Sequence, residues 1–176
     1  MPSVTGIEMR DADEFLATAL FAEVLTNAIH DVRARGTPVY TFAFYHDHES
    51  AAVSVCVDTE ENSRRSVIKS NAYRIKHFAK AVAAGDLRSA VMWNANTGRS
   101  LSLGDFALVN VARANLDYIE PGKQFHVAMV RALWERQQQV AELSPTPERL
   151  LLCCSGPQAE VAYMWSPPPA AQTADS

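Results

Sequence analysis

The stretch from Pro38 to Asp58 constrains this chain more than any other. β-Branched and aromatic residues fill Val39 to Tyr45 and Ala51 to Val57, and a short polar tetrapeptide, His46 to Glu49, separates them. Two such runs so close together read as the strands of a β-hairpin. Tyr40, Phe42 and Phe44 share one face of the first strand, while Val39, Thr41, Ala43 and Tyr45 share the other. Both faces are largely apolar, so these are interior strands. In the second strand Ser54 and Cys56 are small and leave room for close packing, for which a helix is the expected cover.

The flanking segments are helical in pattern. From Asp11 to Arg35 acidic residues gather at the start and Arg33 and Arg35 at the end, with Gly36 placed as a C-cap ahead of Pro38. The apolar residues of this helix cover more than half of its circumference, which predicts burial on two sides or contact with a partner chain. After the hairpin, Asp58-Thr59-Glu60-Glu61 has the form of a capping box and opens a second helix reaching about Ala84. On that helix Val67, Ile68, Asn71, Ala72, Ile75, Phe78, Ala79 and Val82 fall in one sector of ~140°, expected to be buried. Arg65, Lys69, Lys76 and Lys80 fall beside it in a sector only ~60° wide.

Further along, Val91-Met-Trp93 suggests a short strand and Asn110 to Leu116 a helical segment. Pro121-Gly122 opens a third long helix, with Phe125, Met129, Val130, Leu133 and Trp134 as its apolar face and an end near Glu142. Arg149 to Ser155 is a short apolar run and reads as a buried strand joining the hairpin's sheet, and Val161 to Trp165 as one more strand or a turn. The expected architecture is a single α+β domain over residues 1–165, its mainly antiparallel sheet built on the hairpin and packed against three long helices. Residues 166–176, rich in Pro and Ala, are expected to be a disordered tail.

With 176 residues, 48% of them hydrophobic, the chain has enough apolar material for one substantial core. The formal charge of −4 gives no long-range field towards nucleic acid or an anionic membrane, so any such attraction must come from a local patch. The start of the chain lacks the basic and apolar regions of a signal peptide, and no run of uncharged residues approaches a membrane span. A cytoplasmic protein is expected. The three cysteines, Cys56 and the adjacent pair Cys153-Cys154, all lie in apolar runs and read as reduced, packed thiols.

No phosphate loop, nucleophile elbow or closed set of metal ligands is present in the sequence, so no catalytic residues, metal or cofactor are assigned. One enzymatic alternative rests on the turn His46-Asp47-His48-Glu49, where two imidazoles and two carboxylates offer ligands for a divalent ion. His30, His77 and His126 lie in predicted helices without paired spacing. The basic stripe is the other candidate, because Arg64 to Lys80 holds six basic residues and no acidic one in an acidic protein. It suits an acidic protein partner better than nucleic acid, since no aromatic platform accompanies it, although a nucleic-acid-binding regulator stays as an alternative. The candidate contact residues are Arg65, Lys69, Lys76 and Lys80, with Trp93, Asn94 and Arg99 of the following loop as a second surface.

Three motifs carry a family resemblance: Tyr40-Thr-Phe-Ala-Phe-Tyr45, the run Val53-Ser-Val-Cys-Val-Asp-Thr-Glu-Glu-Asn62, and Met92-Trp-Asn94. Across Phe15 to Leu152 the chain resembles an uncharacterised bacterial domain-of-unknown-function family found among the toxin-immunity proteins of bacterial competition systems. The resemblance implies a protein that binds and blocks a cognate protein toxin, without turnover of its own. Its motifs are paired core strands and a helix cap, so they bring no functional residues with them, and the short proline-rich carboxyl end departs from the pattern.

Overall fold

The computed structural model describes residues 5–117 and 119–170, with side chains from Glu14 onward. The fold is α+β, built on a five-stranded sheet in the order β3-β2-β1-β4-β5. The hairpin forms as the alternation predicts: β1 (Thr41–Asp47) and β2 (Ala52–Asp58) pair antiparallel, with Phe44 opposite Val55 and His46 opposite Val53. β4 (Leu151–Gly156) lies parallel to β1, placing Phe44 beside Cys154, and β5 (Ala159–Trp165) returns antiparallel on the outer edge. The sheet is therefore mixed rather than mainly antiparallel. The reason is connectivity: the chain leaves β2 and comes back to β4 through a long helical crossover, which delivers β4 to β1 in the same direction.

Alternation sorts the strands onto two faces. Phe42, Phe44, Val53, Val55, Val57, Leu152 and Cys154 belong to the main core, which α1 (Thr5–Arg35) and α4 (Phe125–Glu135) cover. α1 gives this core Ala17, Phe21, Val24, Leu25, Ala28, Ile29 and Val32, all nearly or fully buried. Phe21 sits edge-on to Phe44 at 5.5 Å and to Phe125 at 5.2 Å, which locks helix, sheet and α4 together. The stretch Glu14–Arg35 is long and apolar enough to cross a membrane, yet these same apolar residues are the ones packed on the sheet. α1 ends as expected at Gly36, whose φ of +65° is the left-handed conformation that only glycine adopts freely.

Several expectations are corrected. The second face of the sheet, Ala43, Tyr45, Cys56 and Cys153, is covered not by a helix but by the loop carrying Leu101, Leu103 and Phe106. Residues 110–116 are not helical: they run along the edge of β2, with Val111 N donating to Val55 O and β3 (Arg113–Asn115) pairing with Ala52 to Ser54. This segment supplies the partners that β2 lacks on its outer side. Val91–Trp93 is a 3-10 turn rather than a strand. The third long helix is broken at Arg136 into α4 and α5 (Gln137–Ala141), so three long helices become two.

The other long helix is α2 (Glu60–Ala83). Its N-cap is Thr59, one residue later than the Asp58 expected, with Thr59 Oγ1 accepting from Asn62 N at 3.2 Å. Asp58 serves as the junction instead, its Oδ1 accepting from Thr59 N, Asn62 Nδ2 and Ala107 N. Beyond these first turns α2 packs mainly on the segment that folds back after it, α3 (Leu87–Ala90) and the 3-10 turn. Within the expected tail, Pro167 is buried and the Pro168 carbonyl accepts from Gln138 Nε2 at 3.1 Å, while residues 171–176 lie outside the described residues.

Candidate functional site

α2 buries the less apolar of its two sides. The side turned to the protein is centred on Ser63, Ser70, Arg74, His77 and Ala81, of which only Ser63 and Ala81 are buried. Asn71 exchanges hydrogen bonds with the Asn96 backbone, Arg74 donates to the Met92 and Asn94 carbonyls, and Ser63 Oγ accepts from Ser100 N. Polar contacts thus hold the helix against its own loop. The apolar seam faces away: Ile68 is 69% exposed, Ile75 59% and Val82 48%, with Ala72 and Ala79 exposed between them. Their spacing of 4, 3, 4 and 3 residues is the a/d repeat of a helix that packs against another helix. Val67, Asn71 and Phe78, at the edge of the sector expected to be buried, are only half-buried, so that expectation is overturned along the whole seam.

Lys69, Lys76 and Lys80 border the seam and are exposed, and none forms an ion pair among the described residues. Arg65 reaches Glu61 only at 3.9 Å, whereas Arg64 is tied to Glu60 at 2.8 Å. The stripe therefore presents free cations beside free apolar surface. The second surface divides. Trp93 is half-buried, stacked on His77 at 4.3 Å and edge-on to Tyr73 at 6.0 Å, and Asn94 is exposed. Arg99 is committed internally: its guanidinium donates to the Tyr40 carbonyl at 2.6 Å, to Thr41 Oγ1 and to the Arg149 carbonyl, and covers the Tyr40 ring at 3.7 Å. Arg99 clasps the start of the hairpin and does not point outward to a partner.

At the opposite end of the sheet the turn residues separate by face. Asp47 is bound to Arg113 at 2.9 Å, and that guanidinium holds its carboxyl below the usual carboxylate range. Glu49 is exposed, and its backbone N–H donates to Asp47 Oδ1. His46 turns inward with Phe42 and Phe44 and is 4% exposed. There it meets His126, which the sequence did not pair with it: His46 Nδ1 and His126 Nε2 are 3.3 Å apart. His48 tilts against His46 with ring centroids 4.0 Å apart, so the three imidazoles gather where β1 ends and α4 begins. Burial, with His48 and His126 adding to it, pushes the pKa of His46 down to about 4, and burial followed by His48 lowers that of His126. At about 4, the pKa of His46 leaves its ring neutral at pH 7. No local signal pairs His126 with the turn: it lies 80 residues beyond His46, and the packing of Phe125 against the His46 ring brings it there.

Cys56, Cys153 and Cys154 are fully buried, and burial raises all three thiols, Cys153 to about 12. They are packing residues, as their sequence context suggested. Set against known proteins, the chain matches no family model, no curated protein and no solved structure.

Proposed function

We propose that this protein is a binding module that docks α2 onto an acidic protein partner and acts by occluding it. The observation that carries the reading is the outward seam Ile68, Ala72, Ile75, Ala79 and Val82, bordered on one side by lysines that form no ion pair among the described residues. An exposed apolar stripe of this length on a rigid helix is what an interface needs, and single-signed charge beside it steers encounter with an oppositely charged surface. A second copy of the chain fits less well, because Lys69 and Lys76 hold equivalent heptad positions and an antiparallel pair of α2 helices sets them against each other. The resemblance of the hairpin and cap motifs to toxin-immunity domains supports one kind of partner, a cognate toxin of a bacterial competition system. Such a toxin would meet this protein in the cytoplasm and act there.

The test is co-expression with the product of each neighbouring gene, followed by affinity capture and a toxicity assay. Capture of a protein whose toxicity this chain suppresses, lost in a chain carrying Ile68→Glu with Ile75→Glu, supports the proposal. Suppression that survives the double substitution places the contact elsewhere. Nucleic acid is distinguished by salt, since a phosphate-bound α2 would lose affinity steeply as ionic strength rises and would bind without any neighbouring protein.

A further inference from the structure

We propose that His46, His48 and His126 bind one divalent transition-metal ion through three imidazoles, with a further coordination position open to solvent. The donor atoms of the three side chains all lie within 4.8 Å of one another. Two nitrogens bound tetrahedrally to zinc at ~2.0–2.1 Å stand ~3.3 Å apart, and His46 Nδ1 and His126 Nε2 are at 3.3 Å. The two buried ligands thus already have the spacing that coordination requires. His48 is exposed on the turn and closes over the pair by a small side-chain movement.

The setting fixes the buried ligands. His46 N donates to Ser155 Oγ at 2.8 Å, and Ser155 Oγ donates in turn to the Glu160 carbonyl, which anchors the end of β1 on β4 and β5. The His46 ring rests on Phe125 at 4.9 Å, with His126 Nε2 at 3.3 Å from its Nδ1 and the His48 ring 4.0 Å away. No carboxylate or thiol joins the group among the described residues, since Asp47 is held on the opposite face by Arg113. An all-imidazole set selects zinc, cobalt, nickel or copper over magnesium and calcium, which require oxygen ligands. Three histidines with solvent on one side is also the donor set of metal centres that keep a position free for water or a ligand. The site lies at the hairpin turn, away from the end of β2 where α2 departs, so it does not depend on the docking surface.

The experiment uses the tag-free full chain, stripped with a chelator and titrated with Co²⁺. Uptake of one Co²⁺ per chain, with the visible absorption of a four- or five-coordinate ion and displacement by Zn²⁺, is the expected result. His48→Ala, a change at an exposed position, should weaken Co²⁺ binding at least ~10-fold with an unaltered circular dichroism spectrum, whereas His77→Ala should bind as the parent does. His126→Gln gives a second variant in which a buried polar side chain is retained. Substoichiometric uptake by the parent chain overturns the proposal whatever the variants do, as does equal binding by the parent, His48→Ala and His126→Gln; the imidazoles are then a hydrogen-bonded cluster only.

Discussion

α1 and α2 begin from the same kind of sequence and are put to opposite uses. Both are long, with 31 and 24 residues, and both carry apolar residues at helical spacing. α1 lays that stripe on the sheet, where Phe21, Leu25, Ala28 and Val32 are completely buried. α2 turns its stripe outward and holds its place through Asn71, Arg74 and Ser63, using hydrogen bonds to loop backbone. Periodicity reveals that a stripe exists; it does not reveal what covers it. The charge beside the stripe is the better guide, because Lys69, Lys76 and Lys80 lack partners within the described chain.

The largest expected difference between the helices is in stability. Phe21→Ala should cost ~3–5 kcal/mol, because it opens a cavity among Phe44, Phe125 and the α1 stripe. Ile75→Ala should stay within ~0.5 kcal/mol, since the side chain is 59% exposed. Urea denaturation followed by circular dichroism measures both. A loss of several kcal/mol for Ile75→Ala would mean that the seam is covered by the chain's own residues, and the comparison would collapse.

Binding should reverse the ranking. Ile68→Glu combined with Ile75→Glu places two charges in the centre of the seam and should weaken partner binding by ~100-fold, about 2.7 kcal/mol, with the melting temperature held. Reversal of Lys69 and Lys76 to Glu should have a smaller effect, more than ~10-fold or roughly 1.4 kcal/mol, expressed as slower association that salt narrows. Surface-plasmon measurements across ionic strengths separate the two. If the lysine reversal binds as tightly as the parent, the stripe is a solvated flank and only the apolar half of the contrast survives.

Most of the strand structure was legible because alternation in a buried strand admits one register. Phe42 and Phe44 on one face and Ala43 and Tyr45 on the other decide the hairpin locally. The parallel pairing of β1 with β4 was not legible, because it depends on a crossover of almost a hundred residues that no local pattern encodes. The helix expected over Asn110 to Leu116 is an edge partner instead, for a related reason: Val111 and Arg113, like Leu108 before them, follow the edge of β2, and an edge partner needs little alternation of its own. His46 and His48 were singled out, but their partner His126 lies 80 residues beyond His46, and tertiary contact alone joins them.

A further small effect is expected at the junction between the two regions. Asp58 ends β2 and starts α2, and it is fully buried. Its Oδ1 accepts three hydrogen bonds, but its Oδ2 is buried without a partner among the described residues. Burial therefore raises its pKa above the ordinary carboxylate value, and the hydrogen bonds from Asn62, Ala107 and Thr59 offset this only in part. A carboxyl whose folded pKa exceeds its unfolded one stabilises the fold below the unfolded pKa of ~3.9, and that contribution is lost as pH rises through the folded value. At pH 7 the charge is thus carried at a cost. Asp58→Asn keeps the Oδ1 acceptor and removes the charge, so it should raise stability at pH 7 by about 1 kcal/mol or less, with the gain shrinking towards pH 4. Thermal unfolding of both proteins between pH 4 and pH 7 provides the measurement. A lower melting temperature for Asp58→Asn at pH 7 would show instead that the charge-assisted bonds to Thr59 and Asn62 outweigh burial, and that α2 is held to the sheet by an ion rather than in spite of one.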